Sequence, residues 1–202
     1  MVGFLLCFIA LSCGKSTSRK QSLNTKNNEV LGKVVKILDG DTYDLLLDNK
    51  TTIRIRIEGI DAPEKGMPFG KKAKQYLGDL CQGQTIKIQK TNKDQYGRIL
   101  GFSYLADGRE LGKEMLKAGY AWHYKHYNSD PELAALEETA RNAKIGLWVE
   151  QPYVIPPWIV RKLNKQGYKI QEIYEAQREH LKGLHAAGCP DKTLCEKIKE
   201  EK

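Results

Sequence analysis

Long apolar segments and paired cysteine motifs are both lacking in this sequence of 202 residues. Residues 2–11 hold no charge, but about ten apolar residues are too few to cross a bilayer and instead fit the core of a signal peptide. The five cysteines form no CxxC pair, so zinc at Cys189 and Cys195 is a weak interpretation. In an oxidising compartment these two residues are close enough in sequence to form a disulfide, and we expect Cys81 to be a buried thiol.

Acidic charge is also in short supply. The chain has 33 basic and 25 acidic residues, which gives a net charge of +8. A positive field concentrates polyanions such as nucleic acid or an anionic membrane surface, although it indicates nothing about catalysis. The length is sufficient for one well-cored domain with tails, and too short for two large domains.

The N-terminal residues resemble a bacterial export signal. The apolar run ends in A-L-S-C-G, which is similar to a lipoprotein cleavage site with Cys13 as the lipidated first residue. We therefore expect a signal peptide at residues 1–12 and a flexible tether at residues 13–28, with the protein anchored to a membrane and facing the periplasm or cell surface. Because no Lys or Arg precedes the run and Ala10 stands where Leu is usual, a plain secretory signal or a start codon assigned too late stays open.

The strand pattern predicts a small barrel. Short β-type runs cover residues 29–38, 42–47, 51–58, 84–90 and 98–105. The third run alternates Ile with Arg and Glu, which gives one apolar and one charged face. Helical patterns lie after the third run, at residues 69–81, and after the fifth, at residues 110–118 and 131–144. This order favours an α+β fold, a five-stranded Greek-key barrel of the OB type with inserted and appended helices.

The proposed domain covers residues 29–162, and a charged C-terminal extension covers residues 163–202. The proline-rich segment 151–158 is expected to lie extended on the surface. Residues 164–187 are expected to form an amphipathic helix, either as a partner surface or as a solvated helix of no particular role.

Three acids lie where loops adjoin strands: Asp41 before the second strand, and Asp61 and Glu64 after the third. Carboxylates that converge from separate loops suit a hard cation such as Ca²⁺. Arg56 on the third strand and Arg98 at the start of the fifth could each grip two phosphate oxygens. Metal-binding acids beside phosphate-binding arginines are the groups that phosphodiester hydrolysis requires. Each motif alone could be a turn, a solvated strand face or a helix cap.

In combination these motifs resemble the staphylococcal nuclease-like thermonucleases. The matching segments are D-G-D-T at residues 39–42, R-I-E-G-I-D-A-P-E at 56–64 and D-Q-Y-G-R at 94–98, followed by G-Y-A-W at 119–122 and I-G-L-W at 145–148. The resemblance covers residues 29–162. It implies an OB barrel and calcium-dependent endonuclease cleavage of DNA and RNA that leaves 5′-hydroxyl and 3′-phosphate ends.

The resemblance also implies roles for particular residues. Asp41 and Asp61 would be calcium ligands, and Ala62 would offer its backbone carbonyl. Glu64 would be the general base, or would position water or balance charge. The scissile phosphate and its transition state would be bound by Arg56 and Arg98, with Tyr96 nearby.

Aromatic residues 122–127 offer a candidate surface for bases. Rings flanked by cations could stack bases, and Tyr127 is the first choice as the stacking residue. In the alternative, Trp122 packs in the core and the remaining residues form a polar turn.

Two further interpretations of the whole chain stay open. The first is a non-catalytic nucleic-acid-binding OB lipoprotein, although such a module would be expected to have lost some of the acids. The second is a surface lipoprotein whose C-terminal helix recruits a partner. We expect a monomer in each case.

Overall fold

The computed structural model describes residues 28–181 and 192–200. The predicted signal peptide, Cys13, nearly all of the tether and Cys189 lie outside the described residues. Within the described part of the chain, every helix is too short or too polar to cross a membrane.

Five strands close into a barrel in the order β1-β2-β3-β6-β5. The strands of the protein are β1 (Glu29–Ile37), β2 (Thr42–Leu46), β3 (Thr52–Ile57), β4 (Ile60–Asp61), β5 (Thr85–Lys93), β6 (Ile99–Tyr104) and β7 (Trp122–His123). Neighbouring barrel strands are antiparallel except β3 and β6, which are parallel. The predicted OB-type barrel with helices is therefore confirmed.

Alternation along β3 explains how one strand serves both the core and the site. Ile55 and Ile57 point into the barrel and are fully buried. Arg56 points to the opposite face, yet it is also buried. A charged side chain on an outer barrel face is buried only where another part of the chain covers it.

Six α-helices accompany the barrel in the described residues. They are α1 (Gly70–Cys81), α2 (Leu111–Lys117), α3 (Pro131–Asn142), α4 (Pro157–Lys165), α5 (Ile170–Leu181) and α6 (Lys192–Glu200). The apolar face of α1 packs Ala73, Leu77 and Cys81 into the barrel core. Cys81 is a buried thiol, as predicted.

Two expectations about the C-terminal part were wrong. Residues 151–158 do not all lie extended, because α4 begins at Pro157. Proline suits the first helical position, since its backbone needs no hydrogen-bond donor there. Nor do residues 164–187 form one helix: α4 ends at Lys165, and Gly167 turns the chain with φ +100° before α5 begins. The predicted boundary at residue 162 lies inside α4.

Helices α4, α5 and α6 share an apolar core. Its buried residues include Ile159 and Leu163 of α4, Ile173 of α5 and Leu194 of α6. Cys195 is disulfide-bonded, and its predicted pairing with Cys189 stays a prediction. Met67, which lies in the loop after the acids, packs into the same cluster. The C-terminal helices are therefore joined to the loop that carries Glu64.

A close backbone contact fixes the region around β7. Gly119 adopts φ +66°, and its carbonyl accepts a hydrogen bond from the Leu147 N–H at 2.8 Å. A Cβ at Gly119 would collide with the Ile145 carbonyl oxygen and lie 3.1 Å from Cδ1 of Trp148. Glycine is therefore required here for space as well as for conformation.

We predict that Gly119→Ala lowers the free energy of unfolding by about 3 kcal/mol, near the upper end of ordinary point mutations. The matched control is Gly83→Ala, because Gly83 has φ +78° but no heavy atom lies within 4 Å of the place that its Cβ would take. The control should lose only the backbone term of about 1 kcal/mol. Urea denaturation measures both, and equal losses would contradict the steric argument.

Candidate active site

Asp41 lies at the end of the turn that precedes β2. Its Oδ2 accepts a hydrogen bond from the Ala62 N–H at 2.8 Å, and its Oδ1 accepts one from the Thr42 hydroxyl at 2.8 Å. Gly40 allows this approach, because a Cβ there would lie only 2.7 Å from Cβ of Ala62 and 2.8 Å from Cβ of Ala73. The turn is thus held against the segment that contains Asp61.

Asp61 belongs to the short strand β4, which pairs with β7 through Asp61 and Trp122. The side chain of Asp61 is fully buried. A buried carboxylate is costly unless it is paired and hydrogen-bonded, and here two arginines provide the partners.

Arg56 is the first of these arginines and connects both aspartates. Its Nε lies 3.1 Å from Oδ1 of Asp41, and its Nη2 donates to Oδ1 of Asp61 at 2.9 Å. Its Nη1 donates to the carbonyls of Ile57 and Ile60, each at 2.8 Å. One guanidinium therefore holds the two predicted metal ligands on the same side of the barrel.

Arg161 of α4 is the second arginine, and the sequence patterns did not identify it. Its Nη2 donates to Oδ2 of Asp61 at 2.7 Å, and its Nη1 donates to Oδ1 of Asp61 at 3.1 Å. Nη1 also donates to Oε1 of Glu64 at 2.7 Å. Arg161 therefore joins Asp61 to Glu64, whose side chain keeps 44% of its surface exposed.

Arg54, the other arginine of β3, has a different environment. Its Nε and Nη2 donate to the carboxylate of Asp44 at 2.8 and 3.2 Å. The Arg54 side chain is 47% exposed, whereas that of Arg56 is 10% exposed. The structure thus brings Arg56, and not Arg54, into contact with Asp41 and Asp61.

Arg98 immediately precedes β6, which runs parallel to β3 with Leu100 opposite Arg56. Asp94 holds it in place: the Asp94 carboxylate accepts from the Arg98 N–H at 2.9 Å and from Arg98 Nε at 2.7 Å. The Tyr96 ring lies 5.4 Å from the Arg98 guanidinium carbon. Both side chains line one turn, and Tyr96 is 69% exposed.

An aromatic cleft of about 770 Å³ lies between the segment after β7 and the residues that lead into α4. Trp122 is buried and packs edge-on against Trp148, with ring centroids 5.2 Å apart. Of the two interpretations of Trp122, the one that places it in the core is therefore observed. Tyr124 stacks on Trp158, with ring centroids 5.4 Å apart and planes 12° apart. Tyr127 lines the cleft beside Tyr124 but is 69% exposed.

Burial dominates the electrostatics of Asp61 and Asp39. It raises the pKa of Asp61 to about 6, an effect that the hydrogen bonds from Arg161 oppose and the charge of Asp41 reinforces. Burial and the neighbouring Asp41 raise the pKa of Asp39 to about 7. Burial works against the charged form of Arg161, but Asp61 and Glu64 raise its pKa overall.

The donor set fits a hard cation in part. Asp41 and Asp61 supply carboxylate oxygens that converge on one guanidinium, and carboxylates are preferred ligands of Ca²⁺. Within the described residues, however, no group of three or more Asp, Glu, His or Cys side chains is arranged to hold a metal ion on its own. Backbone carbonyls, water and substrate oxygens would have to complete the coordination, as they do at many Ca²⁺ and Mg²⁺ sites.

Asp94 and Arg161, whose contacts the sequence patterns missed, differ in how much local sequence signal they carry. Asp94 was part of a recognised motif but was assigned only to a turn. Arg161 lies 100 residues from Asp61, and a single arginine in a charged segment carries no local signal of such a contact.

Comparisons with known proteins identify nuclease relatives of this chain. A family model described as "Staphylococcal nuclease homologue" matches residues 54–150. An "Uncharacterized endonuclease" of Escherichia coli is 42% identical over 133 residues, which cover 66% of this chain and 86% of the relative. The "Micrococcal nuclease" of Shigella flexneri is 38% identical over 146 residues, which cover 67% of this chain and 83% of the relative. An "Uncharacterized endonuclease" of Haemophilus influenzae is 39% identical over 124 residues, which cover 61% of this chain and 69% of the relative.

The matched region contains Arg56, Asp61, Glu64 and Arg98, together with the buried β4–β7 pair that holds Asp61 in place. On the barrel, the site and these relatives, the chain belongs to the staphylococcal nuclease family.

Proposed function

We propose that this protein is a calcium-dependent endonuclease that hydrolyses phosphodiester bonds of DNA and RNA and leaves 5′-hydroxyl and 3′-phosphate ends. The chain is a nuclease by its family membership, and its relatives carry endonuclease and micrococcal nuclease names. The choice of metal, the choice of substrate and the end chemistry are the proposal.

One observation carries the proposal: two buried carboxylates, Asp41 and Asp61, are held together by the guanidinium of Arg56. Burying two negative charges side by side is unfavourable unless cations compensate them. We assign Asp41, Asp61 and the Ala62 carbonyl as the metal-binding residues. A bound Ca²⁺ would neutralise charge that develops on the phosphoryl oxygens.

The chain's own residues supply the remaining functions. Glu64 is exposed enough to contact water, and in our proposal it positions or deprotonates the attacking water. Asp94 holds the guanidinium of Arg98 through Nε alone in the described residues, so the terminal nitrogens of Arg98 are the ones we assign to the phosphate. Tyr96, beside Arg98, is assigned to the same phosphate site, and Tyr127 is retained as a base contact.

We predict that the purified protein cleaves both DNA and RNA in Ca²⁺ and that a chelator abolishes cleavage, because the acids alone cannot neutralise the phosphoryl charge. Gel assays over a range of pH, followed by end-labelling of the products, measure activity and end chemistry. Binding to nucleic acid without any cleavage would support the non-catalytic OB module instead.

We predict that Arg98→Ala lowers kcat by about 10²–10³-fold, the usual cost of removing one donor to transition-state charge. Arg54→Ala is the matched control, since Arg54 is a half-exposed arginine paired with Asp44 instead of the site acids. The control should change kcat less than about twofold. A similar loss in both variants would contradict the assignment of the phosphate-binding arginine.

We further propose that the protein is exported and anchored to a membrane through a lipid on Cys13, facing the periplasm or cell surface, and that it acts as a monomer. The support is the apolar segment that ends in small residues around Cys13. The charge of +8 would also favour a polyanionic substrate near that surface.

We predict that cells supplied with radioactive fatty acid label the wild-type protein and do not label Cys13→Ala, because lipidation requires the thiol. Ser12→Ala serves as the control and should remain labelled. A wild-type protein that is released without label would support the plain secretory signal.

A further inference from the structure

We propose that Arg161 is a positioning residue of the nuclease site. It holds Asp61 and Glu64 in the arrangement needed for metal binding and water activation. This proposal rests on the proposed function. It adds a residue that lies beyond the matched family region of residues 54–150 and belongs to the C-terminal helices.

Arg161 contacts both acids through its guanidinium. Two parallel hydrogen bonds, at 2.7 and 3.1 Å, connect its guanidinium to both oxygens of Asp61. A third, at 2.7 Å, reaches Glu64. Such a forked pair fixes the plane of the carboxylate as well as its position. Arg161 thereby sets the relation between a predicted metal ligand and the predicted base.

Helix α4 holds Arg161 rigidly instead of leaving it on a solvated arm. Trp158, three residues earlier, stacks on Tyr124 next to the site. Ile159, Val160 and Leu163 of the same helix are buried in the C-terminal core. These contacts fix the direction of Arg161 before any substrate binds, which is what precise positioning requires.

In lone-pair terms, the Asp61 carboxylate can accept a cation while Arg161 stays bound. A carboxylate offers about four lone-pair positions, and the described donors to Asp61 occupy three of them: Arg56 Nη2 and Arg161 Nη1 on Oδ1, and Arg161 Nη2 on Oδ2. Oδ2 keeps one position for a cation. This count favours a role in which Arg161 supports the metal ligand Asp61 over one in which Arg161 only occupies the metal position.

The charges agree with this view. Asp41, Asp61 and Glu64 carry three negative charges, and Arg56 and Arg161 carry two positive ones, so the five groups sum to −1. The site therefore retains attraction for a cation while its buried acid is compensated. A metal-ligating carboxylate is commonly held by such hydrogen-bonding partners, whose loss weakens metal affinity or activity by about 10–100-fold.

The test compares wild type, Arg161→Gln and Arg161→Lys with Lys165→Gln, which removes the same charge from an exposed position of the same helix. Calorimetric titration with Ca²⁺ alone gives the metal Kd, and steady-state cleavage of DNA gives kcat and KM. Circular dichroism and thermal melting identify any variant that does not fold. If Arg161→Gln fails to fold, Arg161→Lys decides by the same criteria.

We expect Arg161→Gln to raise the Ca²⁺ Kd and to lower kcat by about 10–100-fold each, with KM for DNA nearly unchanged because Arg161 does not grip the phosphate. Arg161→Lys keeps the charge without the fork and should recover only part of the loss. Lys165→Gln should match wild type.

A variant at position 161 that binds Ca²⁺ as tightly as wild type or more tightly, or that cleaves at the wild-type rate, would overturn the proposal. Tighter binding would mean that Arg161 competes with the metal. Failure of the proposed function is distinct, since wild type itself would then show neither Ca²⁺ binding nor cleavage.

Discussion

The contact of Arg56 with Asp41 and Asp61 is the interaction on which the site depends. It joins the turn before β2, the outer face of β3 and the short strand β4 through one buried guanidinium. Removing one member of such a buried group typically costs about 3–5 kcal/mol, because the remaining charges lose their compensation. The site is thus built into the barrel before any metal or substrate arrives.

This arrangement separates the roles of the two family arginines. The Arg56 donors already contact two carboxylates and two carbonyls, so in this structure Arg56 compensates the charge of Asp41 and Asp61 and holds them close together. Arg98 immediately precedes the neighbouring strand β6, and Asp94 contacts only one side of its guanidinium in the described residues. Arg98 is therefore the arginine better placed to receive a phosphate.

The C-terminal helices belong to the site more closely than their sequence indicated. They bury their own apolar core, and that core includes Met67 from the loop beside Glu64. From the same helix α4, Trp158 stacks on Tyr124, and Arg161 contacts Asp61 and Glu64. A segment outside the matched family region thereby shapes both the aromatic cleft and the environment of Asp61.

Much of the barrel followed from the sequence, because alternation along β3 and turn residues between the strands are local signals. The acids and Arg56 followed from motif order, although only the structure showed that Arg56 is buried and that Arg54 pairs with Asp44. The strands β4 and β7 are two residues long, which is too short for any periodicity. The role of Arg161 depends on a contact between distant residues, and no local pattern encodes it.

In our proposal, the carboxylates of Asp41 and Asp61 form the metal site and Arg98 receives the phosphate. A crystal structure with Ca²⁺ and a non-hydrolysable dinucleotide tests it most directly. We expect a cation about 2.3–2.6 Å from oxygens of both aspartates, with the phosphate on Arg98. A cation bound elsewhere, or a phosphate that avoids Arg98, would contradict it.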